Sequence, residues 1–470
     1  MSETLRKLSA MVEIGAAELC NELTGSVHQA GMATLPDDVL ADIFEQAFDA
    51  TGRGDWFTNT ISRVCRRYRN IALRIPHLWT FICFRERNSL KRDLGLYLAR
   101  SCKKLVVVEI NCNIFETIDE LKEVTRVIVP ALDRMEKLTI KACTELDSVR
   151  DFLLHLREEF GSVEFLALKT LCCEFMVPEW CRYDVEPDEE DTLEIDDNAK
   201  TFFESWNTPV LQTLEIANHI PLKYPVSKTS TITSLHFSLG DDISIGQEGW
   251  SQWQVESICG FLQRFEGLQE LSLSFTTMEL DVPDMIQVRL SGVRKLTLSI
   301  QLCKLEDLRA LFEVLIFPDV EEFALFLGLD NREDMADWFD PQSAFIENLA
   351  RGNITHLTLS ESCLARDVSP VEEFLDRFSG LKSLSLRGED LPLPNGAFLS
   401  SGHPLFKKLE TVRIIDSEQV NASFIRFVKS LQKGHDDTLR NVQFIKCPGV
   451  DTEAVNSHIF GGKKLEWQYA

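Results

Sequence analysis

One short pattern recurs along most of this chain and constrains its fold more than any other feature. From residue 103 onward, apolar residues repeat in the order apolar-x-x-apolar-x-apolar, and polar or turn-forming residues precede each copy. Twelve copies lie at 105–110, 135–140, 163–168, 211–216, 232–237, 268–273, 293–298, 320–325, 354–359, 381–386, 409–414 and 439–444. They begin at intervals that average about 30 residues, a period typical of solenoids built from stacked repeats.

The segments between the copies have the three-to-four spacing of amphipathic helices. They lie at 119–132, 146–160, 253–265, 305–317, 371–378 and 424–431. A short strand with three apolar residues cannot bury them alone, so neighbouring repeats must stack into one continuous core. The sequence therefore predicts an α/β fold at residues 91–470, an irregular solenoid of alternating short parallel strands and helices.

This spacing resembles the leucine-rich repeat family, whose pattern is L-x-x-L-x-L-x-x-N/C. The ninth position holds Asn113, Cys143 and Cys447 in three copies, and other residues in the rest. The resemblance covers roughly residues 103–447 and implies that an Asn or Cys at this position hydrogen-bonds inside the turn. The repeats are degenerate, so the resemblance does not imply a regular curvature.

A helical module is predicted before the repeats, at residues 33–82. Pro36 suits the first turn of a helix, where no backbone N–H is needed, and Asp37 and Asp38 favour the positive end of the helix dipole. Apolar residues then follow helical spacing in two halves, which a turn-rich loop at 49–60 separates. We expect two or three short helices, with a further helical flank at residues 1–32.

Three segments of this module, at 35–44, 64–72 and 76–79, together resemble an F-box in residue type, order and spacing, most closely the F-box-like proteins of fungi. Tyr68 stands where Trp is commoner. The resemblance implies that residues 33–90, F-box and linker, bind a Skp-type adaptor and through it a cullin scaffold. The matching residues are Leu35, Pro36, Val39, Leu40, Ile43, Phe44, Val64, Cys65, Arg67, Tyr68, Ile71, Ala72, Leu78 and Trp79.

A second candidate surface lies on the repeats, since side chains between the apolar anchors of a strand point to its other face. Ser, Thr, Lys and His are frequent there, and acidic residues are few. Either polar residues simply suit exposed strand positions, or this face binds an acidic or phosphorylated segment of a target protein. The candidate target-binding residues are Lys137, Lys141, Lys169, His236, Lys295, His356, Arg387 and Arg413.

The charge of the chain argues against nucleic acid as a partner. The net charge is −25, from 49 basic and 74 acidic residues, and most of the excess acid lies after residue 90. An acidic run at 184–197 falls inside the longest interval between copies and predicts an inserted loop. This loop either keeps the protein soluble or contacts a basic partner, and the flanking Trp180 and Trp206 favour recognition.

Motifs of catalysis are missing from the sequence. It contains no glycine-rich nucleotide loop, no H-E-x-x-H, no G-x-S-x-G and no C-x-x-C. His155, Cys172, Cys173 and Cys181 match no common zinc spacing, so we expect no metal and no cofactor. Thirteen scattered cysteines without a signal peptide or a membrane span indicate reduced thiols in the cytoplasm, the nucleus or both.

The resemblance to F-box proteins, together with the repeats, therefore implies the substrate-recognition subunit of a Skp-cullin-F-box ubiquitin ligase. This subunit would not be an enzyme itself, and its target would be a protein that the repeats bind. The alternative is a repeat scaffold for protein-protein interaction that does not promote degradation.

Overall fold

The computed structural model describes two regions, a small group of helices followed by a long strand array. The described residues are 34–51, 55–83, 90–115, 117–143, 147–176, 202–218, 220, 229–240, 251–276, 278–281, 287–301, 303, 311–328, 349, 353–360, 377–378, 380–388, 408–416, 441–445, 447 and 466–468. The predicted flank at 1–32, the acidic run at 184–197 and the predicted helix at 424–431 lie outside these ranges.

The N-terminal helices are α1 (Asp37–Ala50), α2 (Asp55–Val64), α3 (Arg66–Ala72) and a 3-10 helix at Pro76–Trp79. The two acidic residues lie in the first turn of α1 as predicted. Pro36 is the residue before the helix, not part of its first turn, and its carbonyl accepts the N–H of Leu40 at 3.1 Å. The predicted loop at 49–60 is wrong, because α1 continues to Ala50 and α2 begins at Asp55.

Within the described residues, fourteen strands form one parallel sheet in the order β1-β2-β3-β4-β5-β6-β8-β11-β13-β14-β15-β16-β17-β18, and two small pairs, β7-β9 and β10-β12, lie apart from it. The strands are β1 (Phe81–Cys83), β2 (Val106–Asn111), β3 (Met135–Cys143), β4 (Thr170–Met176), β5 (Thr213–Ala217), β6 (Ser234–Leu239), β7 (Ser251–Gln254), β8 (Glu270–Thr276), β9 (Met278–Asp281), β10 (Val288–Arg289), β11 (Lys295–Gln301), β12 (Leu315–Ile316), β13 (Glu322–Gly328), β14 (His356–Ser360), β15 (Ser383–Arg387), β16 (Thr411–Ile415), β17 (Asn441–Ile445) and β18 (Glu466–Gln468). The sheet confirms the predicted α/β architecture.

Helices connect several of these strands. They are α4 (Leu90–Arg100), α5 (Ile118–Ile128), α6 (Asp147–Gly161) and α7 (Val255–Leu262). Three of them coincide with predicted helices, whereas the predicted helix at 305–317 ends in strand β12. None of the helices in the described ranges has the length and the apolar content that a membrane span needs.

The alternation of burial along each strand explains why the repeats stack. In β8, β11 and β13 the burial alternates strictly, and their anchors Leu271, Leu296 and Phe323 are aligned neighbours in the register. These side chains are at most 2% exposed and belong to one core with the buried residues of the helices. Each strand therefore relies on its two neighbours to cover its apolar residues.

The predicted third repeat is wrong in its phase. Leu166 is 55% exposed, and β4 pairs Leu138 of β3 with Leu171, so the repeat begins five residues later than predicted. Its last anchor is Cys173, which is 1% exposed. Cys packs as a small apolar residue, so a search for larger apolar residues selected the wrong phase.

Trp206 is also buried, at 0% exposure, and is not a recognition residue at the surface. Its ring lies 5.3 Å from the rings of Phe160, Phe165 and Phe202. This aromatic cluster fills the space between the end of α6 and the strands on either side of the long interval, so the flanking tryptophan serves the core.

The strand ends carry the turn chemistry of the repeats. The Cys447 thiol, at the ninth position, is placed to donate inside the turn as predicted, since its Sγ lies 3.4 Å from the carbonyl oxygen of Ile445 and 3.6 Å from that of Ile414 in the preceding repeat. The side chain of Cys143 is outside the described part. In the first repeat the turn is held by Asn111, whose Oδ1 accepts the N–H of Asn113 at 3.1 Å. Gly240 has a φ of 110°, a conformation that favours glycine.

The helices and the sheet share one core without a flexible connection in the described residues. Only Thr80 separates Trp79 from β1, and the carbonyl of Thr80 accepts the N–H of Val107 in β2 at 2.8 Å. The Trp79 ring packs edge-on against Tyr97 of α4 at 4.9 Å, and the Arg100 guanidinium lies 4.3 Å above it. The sheet thus begins at residue 81, while the domain limits at 33–90 and 91–470 stay a prediction.

We expect the Gly240→Ala variant to be markedly less stable than the wild type. A Cβ built on Gly240 would lie 1.6 Å from the carbonyl oxygen of Thr276, so the backbone must move. Backbone strain of this kind costs about 1–3 kcal/mol. The matched control is Gly260→Ala in α7, where a Cβ meets no atom within 4 Å and the helix gains roughly 0.5–1 kcal/mol. Urea unfolding of both variants measures the difference, and equal midpoints would contradict the strained turn.

The phase of the third repeat is tested by two leucine substitutions. Leu171→Ala removes a side chain that is 1% exposed and should lower the unfolding free energy by about 2–5 kcal/mol. Leu166→Ala removes an exposed side chain and should change it by less than about 0.5 kcal/mol. Thermal unfolding that shows the opposite order would restore the phase that the sequence predicted.

Candidate protein-interaction surfaces

Helix α1 has apolar side chains on two faces. Leu40, Phe44 and Phe48 are at most 3% exposed and face the core at spacings of four residues. Val39 and Ile43 are 39% and 37% exposed, on the side turned away from the core. The sequence predicted a single apolar face, because side chains at i, i+3 and i+4 all fit one broad stripe. The structure divides that stripe into an inward and an outward half.

The start of α3 lies beside the start of α1. The Arg67 Nε donates to Asp37 Oδ1 at 2.8 Å, and its Nη2 donates to the carbonyl of Leu35. This link places the end of α2, where Val64 is 60% exposed, next to the first turn of α1. Both elements thus have exposed apolar residues close in sequence to this link. We call Pro36, Val39, Ile43 and Val64 the exposed apolar patch.

Cys65 has a structural role in this arrangement that sequence reasoning missed. It separates α2 from α3 with an extended backbone, φ −157° and ψ 169°. Its Sγ accepts the N–H of Tyr68 at 3.4 Å, so the thiol caps the start of α3. The sequence signal for such a cap is a small polar side chain directly before the helix that it caps.

Several predicted adaptor-binding residues are buried in the core of this chain. They are Leu40, Phe44, Ile71, Ala72, Leu78 and Trp79. The Trp79 Nε1 donates to the carbonyl of Ala72 at 2.9 Å, and the Thr58 hydroxyl donates to the carbonyl of Leu78 at 2.6 Å. Half-buried Tyr68 packs edge-on against Phe44 at 5.2 Å. These side chains are buried in this chain and support the exposed apolar patch, and their contact with an adaptor stays a prediction.

The large sheet presents a second surface, formed by the third, fifth and seventh positions of the repeats. In β8 these are Glu270, Ser272 and Ser274, which alternate with buried anchors. We call this surface the polar face. Of the predicted target-binding residues, it contains Lys137, Lys141, His236, Lys295, His356, Arg387 and Arg413.

Lys169 does not belong to the polar face, and its assignment there is wrong. It precedes β4, because the third repeat starts later than predicted, and its Nζ contacts Glu136 Oε1 at 3.0 Å. Because of the same error in phase, Glu174 was not predicted to lie on the polar face. It occupies the seventh position of that repeat, next to Lys141. The polar face is therefore more acidic near β4 than the sequence predicted.

The polar face of β2–β5 holds a network of closed ion pairs. Lys141 Nζ lies 3.5 Å from Glu109 Oε1 and 3.3 Å from Glu174 Oε2, and Lys137 Nζ lies 3.4 Å from Glu215 Oε1. Burial lowers the pKa of the Lys141 ammonium, but attraction from Glu174 and Glu109 outweighs it and raises the pKa. Three carboxylates thus neutralise two lysines.

The cysteines and histidine that resembled a metal set are apart from one another. Cys172 lies on the polar-face side of β4, whereas Cys173 lies in the core. His155 Nε2 is hydrogen-bonded to the Thr125 hydroxyl at 2.9 Å. Cys181 lies outside the described residues. Burial raises the pKa of the Cys112 thiol to about 12, so it is protonated and inert at neutral pH. The described residues contain no cluster of three or more metal-binding side chains.

Comparisons with known proteins give one family match. The model of the F-box-like family matches residues 32–85, which include α1, α2, α3 and β1. No curated protein matches this chain. The match coincides with the helical module and its exposed apolar patch.

Two solved structures are similar to parts of this chain at low sequence identity. The leucine-rich repeat-containing protein LegL7 from Legionella pneumophila has 13% identity and a TM-score of 0.35, over 66% of this chain and 95% of its own. The TLR13-ssRNA13 complex has 11% identity and a TM-score of 0.33, over 70% of this chain and 40% of its own. TM-scores this low carry no argument about this chain.

The family match and the strand array described above lead to one assignment. The parallel strands, their register and their anchor spacing are those of a leucine-rich-repeat-like region. Residues 32–85 are an F-box-like domain, and this chain is an F-box protein with a leucine-rich-repeat-like region behind that domain.

Proposed function

We propose that this protein is the substrate-recognition subunit of a Skp-cullin-F-box ubiquitin ligase in the cytoplasm, the nucleus or both. F-box domains generally bind Skp-type adaptors, and proteins that combine an F-box with leucine-rich repeats are generally interaction scaffolds without catalytic activity. The F-box-like domain would dock on the adaptor, and the polar face of the sheet would bind a target protein. No step of ubiquitin transfer is assigned to residues of this chain.

The observation that carries the proposal is the exposed apolar patch. Val64 is 60% exposed, and Val39 and Ile43 are more than a third exposed. Apolar side chains grouped on one surface favour a protein partner, since their burial removes apolar area from water. The Arg67–Asp37 link holds the two parts of the patch in place.

The shared core of the two regions supports a mechanism based on proximity. A bound target raises the local concentration of its lysines near the ligase, and this gain depends on a stiff connection of suitable length. Trp79, Tyr97 and Arg100 form that connection here. The Arg134 guanidinium adds bonds of 2.9 and 3.0 Å to the carbonyls of Lys104 and Leu98 at the end of α4.

The patch is tested by the double variant Val39→Glu with Ile43→Glu. An unpaired carboxylate at a buried interface costs more than about 1.4 kcal/mol, which is a tenfold loss of affinity. We expect the wild type to co-purify with the adaptor and the cullin, and the variant to lose both by at least about tenfold. Because both positions are exposed, the thermal midpoint should stay close to that of the wild type.

The matched control is Val210→Glu. Val210 is 38% exposed, as Val39 is, but it precedes β5 and lies outside the F-box-like domain. This variant should retain the adaptor. Retention of the adaptor by the Val39→Glu, Ile43→Glu variant would refute the assignment of the patch.

The ligase role is separated from a non-degradative scaffold by the fate of bound proteins. Cells that express the wild type or the patch variant are compared with and without proteasome inhibition, and captured proteins are measured by mass spectrometry. We expect at least one protein bound by both forms to accumulate on inhibition with the wild type and to be stable with the variant. If the abundance of every bound protein is the same with the wild type and with the patch variant, the protein acts as a non-degradative scaffold.

A further inference from the structure

The end of the polar face farthest from the F-box-like domain has two arginines on adjacent strands. Arg387 is at the seventh position of β15, and Arg413 is at the fifth position of β16, where it is aligned with Ser385. Adjacent strands are about 4.8 Å apart and successive polar-face positions about 6.7 Å, so two guanidinium groups can reach one bound group.

Each guanidinium is anchored through its Nε. The Arg387 Nε donates to Asp416 Oδ2 at 2.8 Å, and the Arg413 Nε donates to Gln443 Oε1 at 2.8 Å. An anchored Nε fixes the plane of the guanidinium and leaves its Nη groups for bidentate hydrogen bonding to a carboxylate or a phosphate. Lys141, by contrast, is enclosed by two carboxylates.

Hydroxyl groups surround this pair. Ser383 and Ser385 are 3% and 5% exposed, and Thr358 of β14 and Thr411 of β16 are their neighbours in the register. In the described part of the chain, the buried Oγ of Ser383 has no hydrogen-bond partner. An unsatisfied buried hydroxyl costs stability, and a bound polar group would remove that cost.

The charge of this region selects the kind of group. Among the described side chains at the fifth and seventh positions of β13–β17 and at the turn after β16, Arg387 and Arg413 are positive and Asp416 is negative. The net charge is one positive unit. One carboxylate balances it, whereas a phosphate group carries about −1.5 to −2 and would leave an excess of negative charge.

Apolar side chains lie beside the arginines at the seventh position, where other repeats have small or polar residues. They are Phe326 of β13, Ile415 of β16 and Ile445 of β17, and all three are partly exposed. The Arg387 guanidinium lies 5.7 Å from the Phe326 ring. Partly exposed apolar residues on both sides of a charged pair would bind apolar side chains on both sides of an acidic one.

We propose that the polar face of β13–β17 binds an extended segment of a target protein in which an acidic side chain is flanked by apolar side chains. Arg387 and Arg413 hold the carboxylate, Ser383 and Ser385 add hydrogen bonds, and Phe326, Ile415 and Ile445 contact the apolar neighbours. This proposal rests on the proposed function, because it defines the target that the ligase subunit recognises.

The probe is a set of synthetic peptide libraries with fixed centres and degenerate flanks. The centres are Leu-Glu-Leu, Leu-Gln-Leu, Ser-Glu-Ser and Leu-phosphoserine-Leu. We expect the full-length wild type to bind the Leu-Glu-Leu library at least about tenfold better than each of the others, since a charged hydrogen-bonded pair and the apolar contacts are both lost in the alternatives. Surface plasmon resonance measures the ratio.

The variants are Arg387→Gln with Arg413→Gln, and the control Lys169→Gln, which lies outside the polar face and whose Nζ lies 3.0 Å from Glu136 Oε1. The double variant should lose the preference for Leu-Glu-Leu, and the control should keep it. Arg387→Lys with Arg413→Lys retains the charge without the forked geometry and should bind at an intermediate level. Thermal unfolding confirms that all variants remain folded.

Four outcomes would overturn the proposal: binding of Leu-Glu-Leu that the double glutamine variant retains, equal binding of Leu-Gln-Leu, tighter binding of the phosphoserine library, or no library bound by the wild type. The phosphoserine result would assign the arginines to a phosphate instead. Failure of the peptide-binding proposal can be distinguished from failure of the proposed ligase role. The arginine variant should still co-purify with the adaptor, and the Val39→Glu, Ile43→Glu variant should still bind the peptides.

Discussion

The in-register stacking of apolar anchors is the interaction on which the rest of this structure depends. The described strands of the large sheet contribute buried apolar side chains that neither a strand nor the helix that follows it can cover alone. Alignment of anchors such as Leu235, Leu271 and Leu296 fixes the register, and the register in turn assigns every intervening residue to the polar face. A slip by one residue would bury polar side chains, so core and binding surface are specified together.

The same constraint extends into the F-box-like domain. Because β1 pairs with β2 and Trp79 packs on Tyr97, the helices of that domain are part of the continuous core and not an attachment to it. Loss of order in the first repeats would therefore loosen the support of the exposed apolar patch. Trp79, which is only 2% exposed, therefore links the stability of the first repeats to that of the F-box-like domain.

Much of the fold could be predicted from periodicity, since anchors at fixed spacing are required wherever a repeat must be covered. The predictions failed where two physical solutions share one pattern. Leu166 and Leu171 both fit an anchor position, and only the packing of Phe165 against Trp206 and the small volume of Cys173 decide between them. The same holds at the site: Val39 and Leu40 are adjacent apolar residues on one helix, and their opposite burial depends on where α3 docks.

The two ends of the polar face use charge in different ways. Near the F-box-like domain, two lysines are neutralised by neighbouring glutamates, and a lysine in such an ion pair attracts a charged partner only weakly. The lysines are Lys137 and Lys141, and the glutamates are Glu109, Glu174 and Glu215. At β15 and β16, within the described residues, the Arg387 Nε donates to Asp416 and the Arg413 Nε donates to Gln443, and the proposed peptide would bind the Nη groups. Polar contacts on a repeat surface can thus either neutralise its charged side chains or orient them for a partner, depending on which donor atoms the contacts occupy. Under the two proposals, target recognition lies far from the exposed apolar patch in strand order, with the large sheet between them.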